Sequence, residues 1–248
     1  MDECDALFKN HAHAEISRAM TAPIRCISSM ATRQLLADLA ADYTRHSGRV
    51  LAVESEGGVD AAKRVQAGEV FDVVVLAADA IHKLIASGRL VAGSRVDLAR
   101  SPVAIAVRAG APQPDVGSEE AVKQAVLAAR SVSYSTGPSG VFLSQLFERW
   151  GIAPTIASRL VQAPPGVPVG TLVARGEVEL GFQQLGELMH LEGIAVVGTL
   201  PSAIECITTF AAARCPGSAQ PDAVREMLHF MTSPETAAAK RRQGMEPA

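Results

Sequence analysis

Aromatic side chains are scarce in this chain, at 4% of 248 residues, which leaves too few rings for a base-stacking platform or a sugar-binding wall. A dominant charge of one sign is missing as well. Lys and Arg number 23 against 26 Asp and Glu, a formal net charge of −3, and no dense Lys/Arg stripe is present. Neither nucleic acid nor an anionic membrane is therefore an expected partner. The four cysteines, Cys4, Cys26, Cys206 and Cys215, show no CxxC and no zinc-ligand spacing. Cys206 and Cys215 could meet in principle, but reduced, partly buried thiols are the expected state. His82, His190 and His229 have no partner at metal spacing, so no metal site and no cofactor are expected. No apolar run is long enough to cross a bilayer, and no membrane insertion is expected. The first residues, MDECDALFKNHAHAEISRA, carry no apolar h-region. Residues 1–19 are expected to form an N-terminal extension. The chain as written is expected in the cytoplasm, or in the periplasm if its true start lies elsewhere. There is no GxxxxGK[ST], and Gly137-Pro138-Ser139-Gly140 is not GxSxG.

What is present is an ordinary globular composition, 48% hydrophobic and 20% charged, arranged in segments that alternate between two periods. Residues 24–28 are expected as a strand. Residues 32–46 are expected as a helix, with Leu35, Leu36, Leu39, Ala40 and Tyr43 on one face. A strand at 49–53 and a helix at 60–67, stopped by Gly68, come next. The run FDVVVL at 71–76 is rich in valine and expected as a strand buried on both faces, followed by a helix at 79–87. A second set begins with a strand at 102–107. It continues with helix 119–129, strand 131–134, helix 141–150, strand 158–162, helix 169–175 and strand 179–182. Further strands at 194–197 and 204–211 and helices at 221–231 and 234–242 complete the pattern. Such alternation implies crossover units and a mostly parallel sheet. The expected fold is α/β and two-lobed, each lobe a mostly parallel sheet flanked by helices, with a cleft between the lobes. Apolar segments at 101–108 and 206–213 serve as the crossings. They give a discontinuous first lobe, 20–102 plus 210–248, and a second at 103–209.

The stretch LGFQQLGEL at 180–188 places two adjacent amides, Gln183 and Gln184, at the end of a strand. Amides both donate and accept, and strand ends are where an α/β fold presents ligand-binding groups. Four loops follow strands and open helices at comparable places: Ser28-Ser29, Gly57-Gly58, Pro138-Ser139-Gly140 and Gly166-Val167. Small residues let backbone N–H groups approach a ligand, and each helix start carries partial positive charge. Several such ends facing one cleft bind an oxyanion or carboxylate without lysine or arginine. The hydroxyls of Ser28, Ser29 and Ser139 add donors, and Gln183 or Gln184 closes the far side. Ordinary roles compete: N-caps for the serines, turns for the glycines, solvation for the glutamines. Arg33, near a helix start, reads as part of a solvated face, and the terminal KRRQG as a charged helix end.

The segments CISSMATRQLL, GGVDAAKRVQAGEVFDVVVLAAD, TGPSGVFLSQLFERWGI and EVELGFQQLGEL, in that order, resemble the type II periplasmic solute-binding proteins of the molybdate-binding group. The likeness extends from Pro23 to the last helix. In that group the oxyanion is held by hydroxyls and backbone amides of four loops and by a tyrosine after the last strand. The resemblance puts Ala31 where the first-helix serine is expected, Gly57-Gly58 at the serine-rich second loop, and Gln184 at the tyrosine position. It implies a small anionic ligand, oxyanion or carboxylate, and an ABC-transporter permease as partner if the chain is exported. The SGV and GFQQ pieces resemble a branch that includes aconitate isomerase, an enzyme on a receptor fold. The alternative is thus an isomerase of an unsaturated carboxylic acid. That chemistry needs a base, and Glu56, just before Gly57-Gly58, is the carboxylate nominated for it.

Overall fold

The computed structural model describes residues 22–164 and 166–248. The expected N-terminal extension and Cys4 lie outside them. The first strand, β1 (Ile24–Ser29), leads through a 3-10 turn (Met30–Thr32) into α1 (Arg33–Ser47). Leu35, Leu36, Leu39 and Tyr43 recur at helical spacing on the buried side of α1, and Gly48 ends it in the left-handed conformation (φ 73°) that glycine adopts without a steric cost. Next come β2 (Leu51–Glu56), α2 (Gly58–Gln66), β3 (Val73–Ala77) and α3 (Ala78–Ala86). β1 lies between β2 and β3, parallel to both. The expected crossover units are present here.

One long strand then departs from expectation. β4 runs from Val96 to Arg108, six residues earlier than the apolar pattern indicated. Its first part, residues 96–102, pairs antiparallel with β9 (Ile207–Arg214), which also pairs with β3. Its second part pairs antiparallel with β7 (Leu180–Gln184) and β8 (Ile194–Thr199). On the far side of β7 lie β5 (Val132–Tyr134) and β6 (Leu160–Gln162), both parallel. The parallel order therefore holds within β2-β1-β3 and β7-β5-β6, and antiparallel crossing strands join the two sets into one curled sheet.

Helices cover both faces. α1 and α9 (Pro221–Thr232) pack on one side of β1 and β3 through Leu36, Leu39, Val224 and Met227. α2 and α3 pack on the other through Ala61, Val65, Ile81 and Leu84. In the second half, α4 (Glu119–Ala128) and α5 (Pro138–Arg149) bury Val122, Val126, Leu143 and Phe147. The short α6 (Ala153–Ile156) adds Ile156 to the same cluster. α7 (Val169–Ala174) closes the opposite face. A one-turn α8 (Leu185–Leu188) continues directly from β7. The chain finishes with α10 (Ala237–Arg242) and β10 (Glu246–Pro247), which pairs with β4.

One sequence reading changes. The KRRQG run is not wholly a solvated helix end, because Lys240 is only 2% exposed and burial lowers its pKa. Cys206 and Cys215 are free thiols, as expected, and so is Cys26. Burial pushes Cys206 and Cys215 up to about 11 and raises Cys26 as well.

Leu36 is fully buried between α1 and the sheet. Leu36→Ala is expected to destabilise the fold by about 2–5 kcal/mol, the cost of lost burial plus the cavity left behind, read from the shift of a urea unfolding midpoint.

Candidate functional site

The C-terminal ends of β1, β2, β3, β5 and β7 run toward one cleft of about 760 Å³. It is lined from the first half of the sheet by Ser29, Gly57, Gly58 and Ala77, and from the second by Gly137, Ser139, Gly166, Val167, Gln183 and Gln184. Eight of the residues picked out in the sequence thus share one cavity: Ser29, Gly57, Gly58, Ser139, Gly166, Val167, Gln183 and Gln184. Three helices of at least nine residues start on its wall, α2 after Gly57, α3 after Ala77 and α5 after Gly137. None has a side chain capping its first turn. Uncapped first-turn N–H groups and the positive ends of three helix dipoles are left to meet an anion. Pro138 has no N–H, so on α5 the first donor is Ser139.

Three candidates fall outside the lining. Ser28 is fully buried, its Oγ 2.7 Å from Ser55 Oγ. Strand alternation explains this, since neighbours along β1 project to opposite faces and only one of Ser28 and Ser29 can reach the cleft. Gly140 is buried in α5 with its Cα against the loop that carries Ser135; a Cβ there would lie 1.8 Å from the Ser135 carbonyl oxygen. Its role is to let that loop turn tightly, with Ser139 Oγ 3.3 Å from Ser135 Oγ. Glu56 turns away from the cavity, and Arg64 Nη1 donates to its carboxylate at 3.0 Å. Arg64 also binds Glu54 and Glu69, so Glu56 belongs to a surface ion-pair cluster. Arg33 is exposed and outside the lining.

Two carboxylates line the cleft, Asp79 in the first turn of α3 and Glu187, and Glu187 is the one engaged by an amide of the wall. α8 places it one turn after Gln183, whose Nε2 donates to Glu187 Oε1 at 2.8 Å. The backbone N–H of Gly170, at the start of α7, donates to Gln183 Oε1 at 3.2 Å. A backbone N–H can only donate, so the Gln183 amide has one allowed orientation and its NH₂ must face Glu187. Burial outweighs that bond and raises the Glu187 carboxyl from the usual value to about 7. With Oε1 engaged by the amide, Oε2 is the oxygen free to take or give a proton. Gln183 ends a strand and Glu187 lies in the single turn after it, so no helical i,i+4 pattern in the sequence marks this pair.

Gln184 projects to the opposite face of β7. Its Nε2 donates to Thr208 Oγ1 at 2.8 Å. Both glutamines are buried, at 3% and 4% exposure, so these amides are part of the wall rather than solvated.

Comparison with known proteins agrees with this geometry. The family described as bacterial extracellular solute-binding protein matches residues 24–246, and the chain belongs to that family. It is 37% identical over 227 residues to an aconitate isomerase of Pseudomonas sp., covering 89% of this chain and 86% of the relative. Among solved structures, the periplasmic molybdate-binding protein of Azotobacter vinelandii superposes with a TM-score of 0.75 at 18% identity, covering 90% of this chain and 98% of that one. A tungstate ABC transporter protein of Geobacter sulfurreducens gives 0.70 at 16%, covering 88% and 97%. The fold is the two-lobed type II periplasmic-binding-protein fold. In fold the chain resembles these molybdate and tungstate proteins. No helix among the described residues is long and apolar enough to cross a membrane.

Two outcomes test the site. Gly140→Ala is expected to cost about 1–3 kcal/mol, because the Ser135 carbonyl must move, and to weaken ligand binding by displacing Ser139; denaturation and titration of the variant check both. Glu187 gives a pH signature. Its folded value, about 7, lies above the ordinary carboxyl value of 4.5, so between these the folded state holds the extra proton. Stability then falls as pH rises from about 4.5 to about 7 and is flat in this respect above. Glu187→Gln removes that slope, which thermal melts of both proteins across the interval detect; parallel curves would sink the assignment.

Proposed function

We propose that the chain binds a small polycarboxylate in this cleft and shifts its carbon–carbon double bond by proton transfer through Glu187, an aconitate-isomerase-like activity. The observation that carries the reading is a half-buried carboxyl, oriented by Gln183 and raised by desolvation to about 7, on the wall of a cavity where three uncapped helices begin. The 37% identity to an aconitate isomerase supports it. In the reaction, Glu187 Oε2 removes a proton from the methylene carbon next to a carboxylate. The electron pair left behind spreads across the neighbouring double bond onto the next carboxylate. Glu187 then returns the proton to the former vinylic carbon, and the double bond has moved by one position. Nothing is oxidised or reduced, and no water is consumed. A pKa near 7 suits a group that must both take and give the proton. The first-turn N–H groups of α2 and α5 hold the carboxylates and stabilise the charge that develops on them.

A second reading, a passive anion receptor, is favoured by the same helix starts and by the Ser29 and Ser139 hydroxyls, which suffice for an oxyanion with no acid or base. Under that reading the chain works outside the cytoplasm, with an ABC permease as partner. In both readings the lobes divide as residues 20–102 plus 210–248 and residues 103–209, on either side of the place where β4 changes partners.

Incubation of the protein with trans-aconitate is expected to yield the cis isomer. Glu187→Gln is expected to lower kcat by about 10²–10⁴-fold, the usual contribution of a general base, with binding retained. A fully active Glu187→Gln overturns the role of Glu187. A wild type that turns nothing over but is stabilised by molybdate or tungstate establishes the passive receptor instead.

A further inference from the structure

Gln183 and Gln184 are neighbours with opposite hydrogen-bond states. Both ends of Gln183 are engaged, by Gly170 N–H and by Glu187. Gln184 has one end on Thr208, and its Oε1, buried in the cleft wall, has no partner among the described residues. Buried acceptors left unpaired are rare and costly, so this end is reserved for something that enters the cleft. Strand register places the group. Gln184 lies opposite Val103 and Thr208 opposite Ser101. Directly opposed residues and their i+2 neighbours share a face, so Ser101, Gln184 and Thr208 lie on one face, next to the cleft-lining Phe210. Thr208 itself is only 7% exposed and is not part of the lining.

The 2.8 Å contact between Gln184 and Thr208 is compatible with either direction of donation, because a threonine hydroxyl gives or takes and an amide exchanges its ends by a half-turn. A carboxylate in the cleft only accepts. It needs the NH₂ end of Gln184, which requires Thr208 to donate its O–H to Gln184 Oε1. We propose that Thr208 is a specificity-determining residue behind the cleft wall: its hydroxyl sets the Gln184 amide so that N–H groups face a ligand carboxylate. The inference rests on the polycarboxylate reading above. Thr208 acts through Gln184, so it is a positioning residue. It lies on the face of β7 away from Glu187, and its effect falls on affinity rather than on proton transfer.

The test is calorimetric titration with trans-aconitate and with its saturated analogue propane-1,2,3-tricarboxylate, which has no double bond to shift. Thr208→Val, which keeps the shape and removes the hydroxyl, is expected to weaken both ligands about tenfold, the loss of one oriented hydrogen bond to a charged group. Thr208→Ser, which keeps the hydroxyl, is expected to stay within about threefold of wild type. KM for trans-aconitate rises in Thr208→Val while the pH profile of kcat keeps its midpoint. Ser101→Ala removes the unpartnered hydroxyl of this face and is expected to leave affinity within about threefold. Unchanged affinity in a folded Thr208→Val overturns the inference and leaves the polycarboxylate reading standing. So does a loss in Ser101→Ala equal to that in Thr208→Val, since the effect is then general damage to the face. A wild type that binds neither tricarboxylate overturns the underlying reading, and the inference with it.

Discussion

One strand belongs to both halves of the molecule, and the rest of the structure is arranged around it. β4 passes from one half of the sheet to the other, and most of its residues are buried. Every N–H and C=O there must find a partner along its whole length. It does so by pairing with β9 up to Pro102 and with β7 and β8 beyond it. Pro102, which has no N–H to offer, falls where the partners change, and Val103 resumes donation to the Cys206 carbonyl. Because β7 is docked on this strand, Gln183 and Gln184 end at the cleft floor. Because β3 is docked on β9, the start of α3 faces them.

The cleft then solves an electrostatic problem with little formal charge. Among the described residues no arginine lines it; of the two lysines on its wall, Lys63 is held by Asp60, and Lys83 shares α3 with the lining carboxylate Asp79. Attraction for an anion comes from helix starts whose N-caps, Gly57, Ala77 and Gly137, offer no side-chain oxygen to cap the first turn. A serine or aspartate at those places would stabilise each helix and block the site. Glu187 fits this setting because its neutral form is favoured by burial, so the wall does not oppose an incoming carboxylate as a fixed negative charge would.

Much of the fold was legible in the sequence because alternating periods of 3.6 and 2 are set by burial, and burial is written in side-chain type. Leu35, Leu36, Leu39 and Tyr43 are one example, and the FDVVVL strand another. The first half of β4, VDLARS, was not legible, since its charged residues break the apolar run while its backbone pairing does not depend on them. The candidate site was readable as a set of loops but not atom by atom. Ser28 and Ser29 look equivalent until β1 assigns them opposite faces. Glu56 looks free until Arg64, eight residues on, returns to it from α2. Glu187 was hidden for the converse reason: α8 is a single turn, too short to leave a periodic signature, yet that turn brings the carboxylate back onto Gln183.

The three described thiols share one restraint on their reactivity. Reactivity toward disulfides and oxidants belongs to the thiolate, and burial keeps Cys26, Cys206 and Cys215 protonated at any physiological pH. Burial sets a low reactivity for each thiol rather than a separation between them, since Cys215 lies close enough to Cys26 to oppose its ionisation. The sulfur chemistry of the described fold is therefore governed by access, and an opening of the sheet around β1 and β9 is what would expose it.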